Sequence, residues 1–186
     1  MIYIKNISKS FSSKKILDNI SFNIKKGKSV SIIGQSGVGK SVLLKHFNGL
    51  IYPDSGEVLI NNKTINRLSF SKLQKIRKKM SMVFQFGALF DSLNIYDNIL
   101  IALDHLTDLS NEDKKIRISE SLSEVNLGSI EKLYPNDLSG GMKKRVGIAR
   151  AIAIRPDYIL YDEPTTGLDP ITTDKMLTLM KKIRKN

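Results

Sequence analysis

The run GQSGVGKS at residues 34 to 41 sets Gly34 and Gly39 with four residues between them, followed at once by Lys40 and Ser41, with Gly37 as a further glycine inside. Glycines let a backbone curl until several N–H groups converge on one anion, and a helix starting near Lys40 would add its positive dipole end at the same point. Lys40 would reach the terminal phosphates and the Ser41 hydroxyl would ligate Mg²⁺. The whole loop, Gly34, Gln35, Ser36, Gly37, Val38, Gly39, Lys40 and Ser41, is therefore expected to hold a nucleoside triphosphate.

Turning binding into hydrolysis takes a carboxylate to place the metal and a group to activate water. The stretch YILYDEP supplies both. Its four apolar or aromatic residues predict a buried strand; Asp162 at the strand end would hold the metal, and Glu163 is placed to act as general base.

These residues need elements to position them. Strand patterns occur at IYI, ISFNI, SVSII, EVLI, MSMVF and YILY, and helical periodicity at 40 to 49, 94 to 106, 112 to 125, 142 to 154 and 171 to 184. That alternation predicts an α/β fold with a mostly parallel sheet core, into which PDSGEVLINNKTI adds an antiparallel hairpin turning at NNK. SVSII is expected to be the strand that feeds the phosphate loop. Residues 91 to 133 have helical patterning with little β-type alternation and predict a helical subdomain inserted into a core of 1 to 90 and 134 to 186. YPNDLSGG then marks a loop leading into a helix near Met142.

The whole chain of 186 residues is long enough for one sizeable core, and its lack of cysteine excludes disulfide frameworks and thiolate metal sites, leaving the cytoplasm as the default. No apolar run approaches the roughly 18 to 20 residues that span a bilayer. The start, MIYIKNISKSF, alternates like a strand and lacks the apolar stretch of a secretory signal. A net charge of +12 is compatible with solvated faces, an anionic membrane surface or nucleic acid. Its basic residues are dispersed, with denser groups at 72 to 79, 143 to 145 and 181 to 186, and no RNA-binding motif accompanies them, which favours solvated faces and no nucleic-acid partner.

LSGGM, comprising Leu138, Ser139, Gly140, Gly141 and Met142, resembles the signature motif of ABC-type ATPases. The resemblance extends along most of the chain. Gln85 in VFQFGALF stands where that family has its Q-loop glutamine, Asp169 in TTGLDP where it has its D-loop acid, and Phe11 is similar to the aromatic that stacks on adenine. The resemblance implies a phosphate-loop NTPase fold of the ABC type, ATP and Mg²⁺ as ligands, and metal contacts from Ser41, Gln85 and Asp162. Ser139 and the N–H groups of Gly140 and Gly141, opening a helix, would form a second anion cup besides that of residues 34 to 41. The resemblance implies why: cassettes pair head to tail, and each signature closes over the nucleotide held by the other copy.

FQFGALFDSLNIYDNI and residues 138 to 170 look most like the ATPase of Mla-type, MCE-associated lipid transport systems; Met142 stands where many other ABC proteins have glutamine. The resemblance implies a homodimer on the cytoplasmic side of the inner membrane, peripheral, docked under an integral membrane permease and working with an MCE-domain lipid-binding protein. Leu93, Ile95, Tyr96, Ile99 and Leu100 are candidates for the docking surface, against packing inside the helical subdomain. Alternatives are the ATPase of a polar-solute transporter and a soluble ABC protein acting on ribosomes. A single cassette without a heptad run argues against the latter.

The family's switch histidine would follow one strand after the last helix, and neither His46 nor His105 is in position to replace it. The C-terminal part of such a cassette is thus expected to lie outside these residues, and the 186-residue chain alone is expected to bind ATP but hydrolyse it poorly.

Overall fold

A computed structural model describes residues 1 to 184; Lys185 and Asn186, the end of the basic group 181 to 186, lie outside the described residues. The chain forms two compact units, Met1–Arg77 and the remainder from Lys78.

The first unit is built on an antiparallel sheet of order β2-β1-β3-β4, formed by β1 (Ile2–Phe11), β2 (Lys14–Ile24), β3 (Ser55–Ile60) and β4 (Lys63–Thr64). Ile2 pairs with Ile60 and Ile4 with Val58, so the alternating apolar residues of two strands share one buried face. Strict alternation would next bury residue 6. Instead Asn6 adopts φ 50° where the register slips, and the buried residue is Ile7. Asn61 and Asn62, both at positive φ, make the tight turn expected at NNK.

Two helices complete this unit, α1 (Lys40–Phe47) and α2 (Phe70–Arg77). Phe47 of α1 is buried and meets Phe22 of β2 edge to face at 6.2 Å. The helical pattern did not reveal α2, because its basic sequence buries only Leu73. Ser29 to Ile33, expected as a strand, forms no ladder among the described residues, and Ile33 is 92% exposed. An extended apolar run is held as a strand by a neighbour's hydrogen bonds, and this segment has no strand partner in the described sheets.

His46 is buried on the inner face of α1, where its Nδ1 lies 2.7 Å from the Val42 carbonyl and its Nε2 has no hydrogen-bond partner. Burial lowers its pKa below 6.5, opposed by the bond to Val42; Lys9 lowers it further and Asp54 raises it. Lys9 and Asp54 are themselves ion-paired at 2.6 Å. The ring is therefore neutral, with Nδ1–H donating. Below pH 6.5 the unfolded chain binds this proton more readily than the folded one, so stability falls as the solution is acidified. The melting temperature is expected to drop between pH 7.5 and 5.5, and His46→Leu is expected to flatten that dependence.

The second unit contains the parallel pair β5 (Met80–Val83) and β6 (Tyr158–Tyr161), with Met80 opposite Tyr158 and Val83 opposite Tyr161. Helices α3 (Ile95–Leu106), α4 (Asn111–Glu124), α5 (Gly140–Ala153) and α6 (Pro170–Ile183) surround its core. Ile95, Ile99 and Leu103 recur at helical spacing on α3, Ile118 and Leu122 on α4, and Val146, Ala149 and Ala153 on α5, and all are buried together. The mixed α/β class expected from the pattern is the one found, with parallel pairing confined to β5 and β6 among the described residues.

Candidate nucleotide site

In the first unit the loop from Gly34 to Val38 is exposed and leads directly into α1. Gly39, the residue before the helix, has φ 102°, and a Cβ there would press on Ile16 and Leu17 of β2. Only glycine meets both demands. No side chain caps α1 and no acid lies in its first turn. By contrast α3, α4, α5 and α6 each begin with a side chain that accepts a backbone N–H, from Asn94, Ser110, Ser139 and Asp169. A helix start with no side-chain cap and no acid, behind a glycine loop, fits a phosphate ligand. Lys40 donates to the carbonyls of Gly34 (3.0 Å) and Gln35 (2.8 Å), so its ammonium lies against the loop itself. Ser41 follows in the first turn. Phe11 closes β1, pairs with Lys14 at the start of β2, is exposed, and has the Lys9 ammonium 5.5 Å from its ring centre.

The second unit brings Gln85, Asp162 and Glu163 to the same ends of two neighbouring parallel strands. Asp162 follows β6, is buried, and donates its N–H to the Val83 carbonyl at 2.9 Å, so it continues the ladder of β5. Gln85 stands two residues beyond Val83, in a turn closed by the Gly87 N–H on the Phe84 carbonyl. Glu163 adopts φ 48°, a left-handed backbone uncommon for a residue with a side chain. The Thr166 hydroxyl donates to its Oε2 at 3.2 Å. Burial pushes the phenol of Tyr161, beside Asp162 in sequence, up to about 12.

Ser139 caps α5 by accepting the Met142 N–H at 3.3 Å, with Leu138 buried before it and Gly140 exposed. Asp169 caps α6, and the Thr172 hydroxyl and N–H that bond to it hold its carboxyl below the usual range. The two helix starts are neighbours: a Cβ on Gly141 would lie 3.2 Å from the Thr172 methyl. The helix opens at Gly140, slightly before the start near Met142 expected from the loop residues.

Three residues central to this arrangement carry no obvious motif. Asn98, fully buried on α3, accepts the Phe90 N–H and donates to the carbonyls of Phe90, Leu93 and Asn94, fixing the segment that follows the Gln85 turn. Arg150 donates to the Gly87 and Ala88 carbonyls in that turn. Lys144, read from sequence as part of a solvated basic group, is only 7% exposed and donates to the carbonyls of Pro164 and Thr166. Its burial lowers its pKa, against the opposing charge of Glu163. The signal that could have found it is spacing: Lys144, Ile148 and Ile152 stand one turn apart on the buried face of α5.

Residues 17 to 166 match a family model described as ABC transporter. The chain belongs to the ABC transporter family of ATP-binding domains. As an ABC domain it is 45% identical over its whole length to the methionine import ATP-binding protein of Carboxydothermus hydrogenoformans, of which it spans 56%. It is 40% identical to the intermembrane phospholipid transport system ATP-binding protein of Haemophilus influenzae, again over its whole length, and spans 70% of that protein. Among solved structures it resembles a dimeric ATP-binding cassette in a post-hydrolysis state bound to ADP and Pi, with a TM-score of 0.90, 38% identity, and coverage of 100% of this chain and 83% of the other. No helix among the described residues is long and apolar enough to cross a membrane.

Proposed function

We propose that the protein to which this ABC domain belongs binds and hydrolyses ATP to power transport of phospholipid or a related hydrophobic compound through a partner permease. The observation that carries the nucleotide part is the exposed glycine loop that feeds α1 through Gly39 at φ 102° and already holds the Lys40 ammonium on its carbonyls. Phe11 stacks on the base, and Gly34 to Ser41 enclose the phosphates. The family resemblance assigns magnesium to the Ser41 hydroxyl, the Gln85 amide oxygen and the Asp162 carboxylate, oxygen donors of the kind that suit it. Bound magnesium supplies charge neutralisation on the phosphates. Glu163 accepts the proton of the attacking water, and Gln85 reports the state of the site to the segment before α3.

The signature, Leu138 to Met142, and Asp169 are assigned to the nucleotide of a second copy in a head-to-tail dimer. Support comes from the exposure of Ser139, Gly140 and Asp169 and from the dimeric cassette that this fold resembles. Residues 1 to 186 are assigned to a single ATPase cassette, peripheral to the cytoplasmic side of the inner membrane, in a system that includes an MCE-domain protein. The phospholipid relative and the sequence from Phe84 to Ile99 favour a lipid cargo. Greater identity to a methionine import protein favours a second reading, an amino-acid cargo.

The full-length protein, purified from its host membranes with its permease and placed in phospholipid nanodiscs, decides between them. A lipid system is expected to show ATP turnover that changes severalfold with phospholipid headgroup and to ignore L-methionine. Stimulation by methionine alone would transfer the assignment to amino-acid transport.

A further inference from the structure

We infer that Lys144 and Arg150 are positioning residues that tie the Glu163 loop and the Gln85 turn to one rigid helix, α5. The inference rests on the proposed roles of Glu163 and Gln85.

Both cations emerge from α5 and both spend their hydrogen bonds on main-chain carbonyls of loops. Lys144 donates to Thr166 at 2.6 Å and to Pro164 at 3.2 Å. Thr166 in turn donates its N–H to the Glu163 carbonyl and its hydroxyl to the Glu163 carboxylate. The lysine therefore fixes the residue that holds both ends of Glu163. On the other side, Arg150 forks onto the carbonyls of Gly87 (2.8 Å) and Ala88 (2.9 Å), the residues closing the turn of Gln85. Gly147 lies between the two cations, and a Cβ on it would stand 3.1 Å from the Gly87 Cα, so helix and turn touch backbone to backbone.

Buried charge argues for use rather than stability. Burying the Lys144 ammonium carries a solvation penalty, and an apolar side chain of similar volume would pack α5 as well. What an apolar residue lacks is a directed grip on loop carbonyls. Gly87 and Ala88 lie at φ 77° and 48° and Glu163 at 48°, so the gripped segments hold backbone conformations that would relax without it. A displacement of the Gln85 turn must carry α5 with it, and with α5 the Glu163 loop.

The experiment measures kcat and KM for ATP in the full-length protein with its permease. Lys144→Met is expected to lower kcat about tenfold or more while KM stays within about twofold, because misplacing a catalytic group by about 1 Å costs up to about 100-fold. Lys144→Arg, which keeps a donor, is expected to restore most of the loss. Arg150→Lys keeps the charge of this half-buried side chain but replaces the fork with a single ammonium, and should lower kcat severalfold with unchanged KM. The double variant should fall well short of the product of the single losses, since both act through one helix.

Wild-type kcat in Lys144→Met, or multiplicative losses in the double variant, overturns the inference. Should Lys144→Met not fold, as shown by loss of binding to a fluorescent ATP analogue, wild-type kcat in Arg150→Lys overturns it instead. Glu163→Gln serves as the control: if that variant turns over normally, the assigned base is wrong, whereas an inactive Glu163→Gln beside a normal Lys144→Met refutes the positioning role alone.

Discussion

Replacing Glu163 with glutamine is expected to lower ATP turnover of the full-length protein by about 100-fold or more, the scale of a lost general base. The substitution changes little else. Glutamine has nearly the same volume, and its amide oxygen can still accept from the Thr166 hydroxyl that now bonds Oε2. What it cannot do is take a proton from water. Nucleotide binding should therefore survive while hydrolysis stops, and the ATP-bound head-to-tail dimer should accumulate and elute at twice the monomer mass in size-exclusion chromatography. Phosphate release measured alongside distinguishes the outcomes: turnover near wild type would mean that another group activates the water. A dead variant that also fails to dimerise with ATP would place Glu163 in binding rather than chemistry.

The site was legible wherever its chemistry is local. The loop residues YPNDLSGG sufficed to place the start of α5 within two residues, and Ser139 and Asp169 cap α5 and α6 by accepting the N–H three residues on. Four apolar or aromatic residues before Asp162 sufficed to predict β6, and paired asparagines sufficed for the β3–β4 turn. The segment Ser29 to Ile33 shows the limit. Its alternation fits a strand, but a strand exists only through hydrogen bonds to a neighbour, and sequence pattern does not supply one.

The buried lysine shows a second limit. A lysine among KKR looks like surface charge, and its burial follows from which face of α5 meets the Glu163 loop, a tertiary fact. Asn98 is a similar case, since an asparagine in an apolar helix gives no hint that four hydrogen bonds to the preceding loop await it. The left-handed backbone of Glu163 was equally hidden, because nothing in the residue type requires it.

Lys40→Ala is expected to weaken ATP binding by about 10- to 100-fold, for two reasons that act together. A hydrogen bond to a charged group contributes about 1.5 to 3 kcal/mol, and about 1.4 kcal/mol corresponds to a tenfold change in affinity. The same ammonium also bonds the carbonyls of Gly34 and Gln35, so alanine removes a tie that holds the loop in its curled form. ADP and ATP separate the two effects. Loss of loop shape alone weakens both nucleotides equally, whereas loss of a contact to the terminal phosphate weakens ATP more than ADP. Titration of the full-length variant with fluorescent analogues of each is expected to show the larger loss for ATP. Equal and small losses would mean that the glycine loop and the start of α1 carry the phosphate affinity and that Lys40 serves the loop only.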